Sequence, residues 1–247
     1  MNASCLRYAF IMNNARLDDL KRFYKAVDAL STTVGGPRRL ADCNAKLGWP
    51  MRGVYFFMED GEPRSHTGAG PRIVRVGTHA LKTGSRTTLW KRLSQHRGRA
   101  RSGTGNHRGS IFRLIVGNAL IEKNGYEFPT WDDHRASAPA EVRAAERVLE
   151  YEVSKTLGAM RFLWLGVDDD AGPGSKRGYI ERNAIALLSN FGKAPIDPPS
   201  PSWLGHCCNR PRVKASGLWN SNHVDEQYDP AFLNELERLV SKTGARR

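Results

Sequence analysis

Four short fragments in a fixed order constrain what this chain can fold into. They are Gly53-Val54-Tyr55, Arg75-Val76-Gly77, Arg92-Leu93-Ser94-Gln95-His96, and Glu181 within Tyr179-Ile180-Glu181-Arg182-Asn183. The first two sit in runs that read as strands, residues 53–58 and 72–78, separated by the turn Glu59-Asp60-Gly61-Glu62-Pro63 and a polar loop. Such a pair is expected to lie side by side and antiparallel. The last two fragments sit on expected helices, Thr87 to His96 and Tyr179 to Phe191.

The rest of the chain fills in around them. Leu17, Leu20, Phe23, Tyr24, Val27 and Leu30 recur at helical spacing within residues 15–31, and Gly35-Gly36-Pro37 ends the pattern. Residues 97–109 form a basic, Gly-rich loop, and Ser110 to Val116 is apolar enough for a strand. Residues 118–138 read as irregular, Glu141 to Leu157 as one long helix, and Phe162 to Val167 as a strand. Asp168-Asp169-Asp170, followed by Ala-Gly-Pro-Gly, reads as a solvated turn at that strand's end. A Pro-rich loop over 193–217 leads to a C-terminal helix from Pro230 to Ser241. Strands and helices mix without a strict βαβ rhythm, which predicts an α/β fold of the α+β kind, a small mixed sheet with flanking helices.

At 247 residues the chain fits one large domain, with or without terminal extensions. Its 38 Lys+Arg against 25 Asp+Glu give a formal charge of +13, which predicts attraction to polyanions. The basic residues cluster: Arg97, Arg99, Arg101, His107 and Arg108 lie in one Gly- and Ser-interrupted stretch, with Lys91 just before it. Such a loop suits phosphates and cannot by itself specify bases. Cys5, Cys43, Cys207 and Cys208 include no CxxC pair, so free thiols are expected rather than a structural zinc site. No apolar run is long enough to span a bilayer and no signal pattern opens the chain, so the expected location is cytoplasmic.

The four fragments supply a phenol, a guanidinium, an imidazole and a carboxylate, a set able to hydrolyse a phosphodiester with one divalent metal. A helix turns roughly 100° per residue, which places Glu181 inside the apolar arc formed by Ile180, Ala184, Ile185, Leu187, Leu188 and Phe191. A carboxylate there needs a cation, either a metal or an arginine, and periodicity leaves both open. Arg92 and His96 are four apart and share a helix face bordering Leu89 and Leu93. Strand alternation groups Gly53, Tyr55 and Phe57 on one face, and Ile73, Arg75 and Gly77 on one face.

In this ordered set the chain resembles the GIY-YIG nuclease superfamily over about residues 51–222. Gly53-Val54-Tyr55 matches its first element, and Arg75-Val76-Gly77 matches the second only at the hydrophobic and glycine positions, with Arg75 where the family has a tyrosine. Arg92, His96 and Glu181 match the helix arginine, its companion histidine and the metal-binding glutamate. Ser216-Gly217-Leu218-Trp219-Asn220 resembles the segment carrying the family's asparagine, with Asn222 a competitor for that place.

The resemblance implies a mostly antiparallel three-stranded central sheet flanked by helices. The domain would span 51–222 with a basic insertion at about 98–160, a helical N-terminal extension over 1–50 and a C-terminal helix and tail over 223–247. It implies DNA cleavage that depends on Mg²⁺ or Mn²⁺ and leaves 5′-phosphate and 3′-hydroxyl ends. Tyr55 would be the general base, helped by cations such as Arg75 or Lys82, because a phenol's reference pKa is ~10. Arg92 would stabilise transition-state charge, His96 would assist Tyr55 or hold a phosphate oxygen, Glu181 would hold the metal, and Asn220 would orient phosphate or water. Arg75 or His79 would cover for the missing tyrosine. Double-stranded DNA is the expected partner, and cutting both strands favours a homodimer. A restriction or defence enzyme is the leading reading. The alternatives are a stand-alone repair nuclease, a catalytically degenerate nucleic-acid-binding protein, or a basic interaction protein whose motifs match by chance.

Overall fold

The computed structural model describes residues 3–99, 101–133 and 137–244, with side chains from residue 14 onward. Among the described residues, eight α-helices and four strands follow one another as α1 (Ala3–Val34), β1 (Arg38–Arg39), β2 (Gly53–Pro63), β3 (Pro71–Gly77), α2 (Leu89–Arg97), α3 (Ile111–Asn124), α4 (Ala140–Ala145), α5 (Arg147–Ala159), β4 (Arg161–Gly166), α6 (Lys176–Leu188), α7 (Pro211–Ser216) and α8 (Phe232–Gly244). The fold is mixed α/β around a small antiparallel sheet of order β1-β4-β2-β3. The fourth strand, beyond the three expected, is the two-residue β1 beside β4.

Alternation along β2 divides the interior in two. Val54, Phe56 and Met58 join Leu163 and Leu165 of β4 under α1, α6 and α8. Tyr55 and Phe57 join Phe162 and the helices α2, α3 and α5 on the other face. α8 is amphipathic in the ordinary way, burying Phe232, Leu233, Leu236 and Val240 against the first layer.

β3 departs from the expected alternation. Phe57 pairs with Arg75, yet its neighbour Met58 pairs with Ile73, so Val74 is an extra residue on β3. This bulge reverses the parity of the strand: Arg75 and Gly77 share the Tyr55 face, while Ile73 turns to the opposite layer. The grouping of Ile73 with Arg75 is therefore corrected.

β3 is also the sheet's edge, and residues 219 and 220 cover it. The Trp219 N–H donates to the Val74 carbonyl at 2.7 Å. The Asn220 amide mimics a strand: its Nδ2 donates to the Val76 carbonyl at 2.9 Å and its Oδ1 accepts from the Val76 N–H at 3.1 Å. An edge that would otherwise expose unpaired backbone is thus closed by one loop.

Three further expectations change. The run Ser110 to Val116 is not a strand: it opens α3, with Ser110 as N-cap accepting from the Arg113 N–H at 3.3 Å and Gly125 (φ 64) closing the helix. Phe112 to Ala119 is buried without a break, and an apolar run without polar alternation does not distinguish strand from helix. The single helix expected over 141–157 divides into α4 and α5 at Glu146, a buried carboxylate tied to Arg108. The Pro-rich loop over 193–217 contains α7, started by Pro211 in its first turn, and a short 3₁₀ turn at Leu204–Cys207. Cys43, Cys207 and Cys208 are free thiols, and the Cys5 side chain lies outside the described residues. Among the described residues no helix is long and apolar enough to cross a membrane.

Candidate active site

The two glycines of the strand pair are small because of what lies against them. Gly77 faces Tyr55 across the ladder, and a Cβ there would sit 2.4 Å from the Tyr55 ring. A Cβ at Gly53 would meet the Leu165 carbonyl oxygen at 2.5 Å. Only glycine permits these approaches, so the strand spacing itself fixes the phenol in place.

α2 brings the imidazole to it. Thr88 caps the helix by accepting from the Lys91 N–H at 3.2 Å, and Leu89 and Leu93 bury its inner face. His96 is fully buried behind Tyr55, with Nε2 2.9 Å from the Tyr55 hydroxyl and Nδ1 2.7 Å from the Ser110 hydroxyl. Burial, reinforced by the positive charges of Arg92, Arg75 and Arg113, pushes the His96 pKa well below its ordinary value. The ring is neutral at physiological pH, so one of its nitrogens is an acceptor.

Arg75, directly opposite Phe57, lies on the same face. It is 5% exposed, its guanidinium covers the Phe112 ring at 4.4 Å, and it donates to the Trp219 carbonyl. Burial lowers its pKa, while Tyr55 and Glu181 oppose that shift. A guanidinium stays charged under such pressure. Arg92 is half-buried and held lightly, by Gln95 Oε1 at 3.2 Å and the Gly109 carbonyl at 3.3 Å.

Glu181 projects from α6, whose N-cap Ser175 accepts from the Gly178 N–H at 3.2 Å. Its Oε1 accepts from the Thr78 N–H at 3.0 Å. Burial raises its pKa, with Arg75 the largest opposing influence, then the Thr78 amide, His223 and Arg92. The carboxylate therefore has charge nearby but no ion pair among the described residues, so periodicity's second option, a structural salt bridge, is not what the fold uses.

Tyr55, Arg75, His79, Arg92, Glu181 and Asn220 all line one cleft of about 530 Å³, and His96 lies behind its wall. His79 is 6% exposed, and neither ring nitrogen meets a hydrogen-bond partner among the described residues. Burial, then the charge of Arg177, depresses its pKa to about 4, so it enters the cleft neutral. Asn220 reaches the cleft with both amide atoms already bonded to Val76, which makes it an anchor of the sheet edge. Asn222 lines the same cleft and is exposed. Lys82 is exposed and does not line it.

The basic stretch is divided. Lys91, Arg99 and Arg101 are exposed. Arg97 donates to the Cys43 carbonyl and lies over Trp90 at 5.1 Å. His107 is 2% exposed, stacked on Trp131 at 3.8 Å and 2.9 Å from Glu150. Arg108 pairs with Glu146 at 2.6 Å. His107 and Arg108 therefore face inward, a correction to the phosphate contacts expected of them, because buried Glu146 and Glu150 require counter-charges.

Sequence reasoning missed several contributors. Ser110 was visible only as a small polar residue before an apolar run. Arg177, fully buried, pairs with Asp169 and donates to the His79 carbonyl at 2.5 Å, so the acidic turn holds the cleft's rim. His223 lines the cleft on a left-handed backbone (φ 64) and is held by Glu226 at 2.7 Å. No local signal marked it.

The family model described as "GIY-YIG domain" matches residues 14–246. No curated protein and no solved structure matches the chain.

Proposed function

We propose, from the premise that this chain belongs to the GIY-YIG domain family, that it is a metal-dependent endonuclease cutting double-stranded DNA to 5′-phosphate and 3′-hydroxyl ends. Family membership carries the nuclease-type activity and the DNA substrate. One observation supports the finer reading: the Tyr55 hydroxyl is 2.9 Å from a neutral His96 in the wall of a cleft that also holds Arg92 and Glu181.

The chemistry follows from that arrangement. Tyr55 takes the proton of the attacking water as the new O–P bond forms. His96 receives the phenol's proton in the tautomer whose Nδ1–H donates to Ser110, since that tautomer leaves Nε2 as acceptor. Arg92, loosely held, turns to the phosphate and offsets the charge that builds on phosphorus. Arg75, deep beside Tyr55, holds positive charge where a phenolate would form.

The donor set fits a hard divalent cation. Glu181 has one oxygen on the Thr78 amide, and no protein donor among the described residues reaches the other. A single carboxylate completed by substrate phosphate is a usual way to hold Mg²⁺. Bound there, Mg²⁺ or Mn²⁺ would supply positive charge at the departing 3′ oxygen. A restriction or defence role is the biological setting we favour, with two copies engaging the two strands of a duplex.

Plasmid cleavage with Mg²⁺, Mn²⁺ or EDTA, beside Glu181→Ala, tests the reading. Cutting that needs metal and is lost in the variant is expected, and discrete fragments are expected of a restriction enzyme. No cutting in any metal, with DNA binding retained, would mark the chain as a binding protein instead.

A further inference from the structure

A second cleft, of about 430 Å³, opens between the basic stretch and the α4–α5 face. It is a built feature. The Arg99 N–H donates to the Thr104 carbonyl at 2.6 Å and the Gly103 N–H to the Arg99 carbonyl at 2.9 Å, which closes the loop on itself. The loop is pressed onto the helix beneath: a Cβ at Gly103 (φ 62) would sit 2.7 Å from the Tyr151 ring, and one at Gly105 would sit 2.1 Å from the Arg113 guanidinium carbon.

Its two carboxylates are neutralised from within. Glu146 accepts from both terminal nitrogens of Arg108, at 2.6 and 2.8 Å. Glu150 accepts from Arg113 at 3.0 and 2.5 Å and lies 2.9 Å from the His107 ring. Three exposed guanidinia remain on the walls, Arg99, Arg143 and Arg147, with no carboxylate partner among the described residues. Arg143 and Arg147 are four apart across a joint that keeps helical backbone at Glu146 (φ −75, ψ −8), so they share a face. The Ser102 and Thr104 hydroxyls, hydrogen-bonded to each other at 2.8 Å, leave one hydroxyl proton on the same wall.

We infer that this cleft binds backbone phosphates of duplex DNA flanking the phosphodiester to be cut. This rests on the nuclease reading and goes beyond it by assigning a second, non-catalytic site. The two clefts share a wall: Arg108 lines the second and Gly109 lines the first, and neighbouring Cα atoms are ~3.8 Å apart. A strand with its reacting phosphate beside Arg92 continues across that wall, where three unpaired arginines meet its next phosphates. Such contacts position the duplex and carry no sequence information.

The test is binding in EDTA by fluorescence anisotropy, with a long duplex and one too short to leave the first cleft, for wild type and the triple variant Arg99→Gln, Arg143→Gln, Arg147→Gln. The variant is expected to bind the long duplex more weakly. Its log Kd against log salt should be shallower by up to ~3, at ~0.9 per lost phosphate contact. It should bind the short duplex as wild type does. Unchanged affinity and salt slope, or an equal loss on both duplexes, overturns the assignment. A wild-type protein that binds DNA but cuts none with Mg²⁺ or Mn²⁺ overturns the nuclease reading, while the affinity arms still decide the cleft. A wild type that binds neither duplex overturns both.

Discussion

Tyr55 and Gly77 are one device made of two residues. The phenol is held where His96 can reach it because the facing residue has no side chain. Gly77→Ala should therefore cost about 1–3 kcal/mol by overpacking and lower cleavage together with thermal stability. Tyr55→Phe should lower cleavage by about 10²- to 10⁴-fold, the range for a lost acid–base group, with DNA affinity retained; near-normal turnover would exclude Tyr55 as the base. Away from the cleft, Glu59 provides a pH signature. Burial raises its pKa to about 7, against the opposing hydrogen bond from Trp219 and the charge of Arg72. Between the ordinary carboxylate range and about 7, the folded chain keeps a proton that the unfolded chain has released. Stability should thus fall as pH rises through that window and level off above it. Urea midpoints across the window should show this slope, and Glu59→Gln, which can still accept from Trp219 Nε1, should flatten it.

At the scale of elements, the decisive feature is how β3 is finished. The bulge at Val74 turns Arg75 toward Tyr55, and residues 219 and 220 close the edge so formed. Asn220→Ala leaves the buried Val76 N–H and carbonyl without partners, a loss of about 1–3 kcal/mol for each group left unsatisfied. Chemical denaturation should register that loss, and cleavage should fall with it through displacement of Arg75. A variant of full stability with lost turnover would instead give Asn220 a direct role on substrate. The α3 helix matters in the same way, since its N-cap Ser110 is also the partner of His96 Nδ1.

For the whole molecule, the sheet divides two packed layers, and the chemistry draws on both: Tyr55 faces one, while Glu181 reaches the cleft from α6 in the other. α1 and α8 pack with α6 on one face, while α2, α3 and α5 pack on the face that carries Tyr55. Leu236→Ala, in the first layer, should lower stability by about 2–5 kcal/mol as a buried cavity mutation. Measured well below the melting point, kcat of the folded protein should be preserved, because the cavity lies across the sheet from the Tyr55–His96 pair. A large fall in kcat would mean that the layer positions α6, and Glu181 with it.

The sequence by itself determined the strand pair and the α2 and α6 helices, because β propensity and helical periodicity act over a few neighbouring residues; that Tyr55, Arg75, Arg92 and Glu181 meet in one cleft with His96 behind Tyr55 is the work of the tertiary structure. Tertiary structure decided what depends on distant partners. The Val74 bulge follows from pairing with β2, the α3 helix from burial on all sides, and the inward turn of His107 and Arg108 from carboxylates some forty residues away. Asn220 became a backbone anchor, and Arg177 and His223 entered the cleft rim, through contacts that no local pattern encodes.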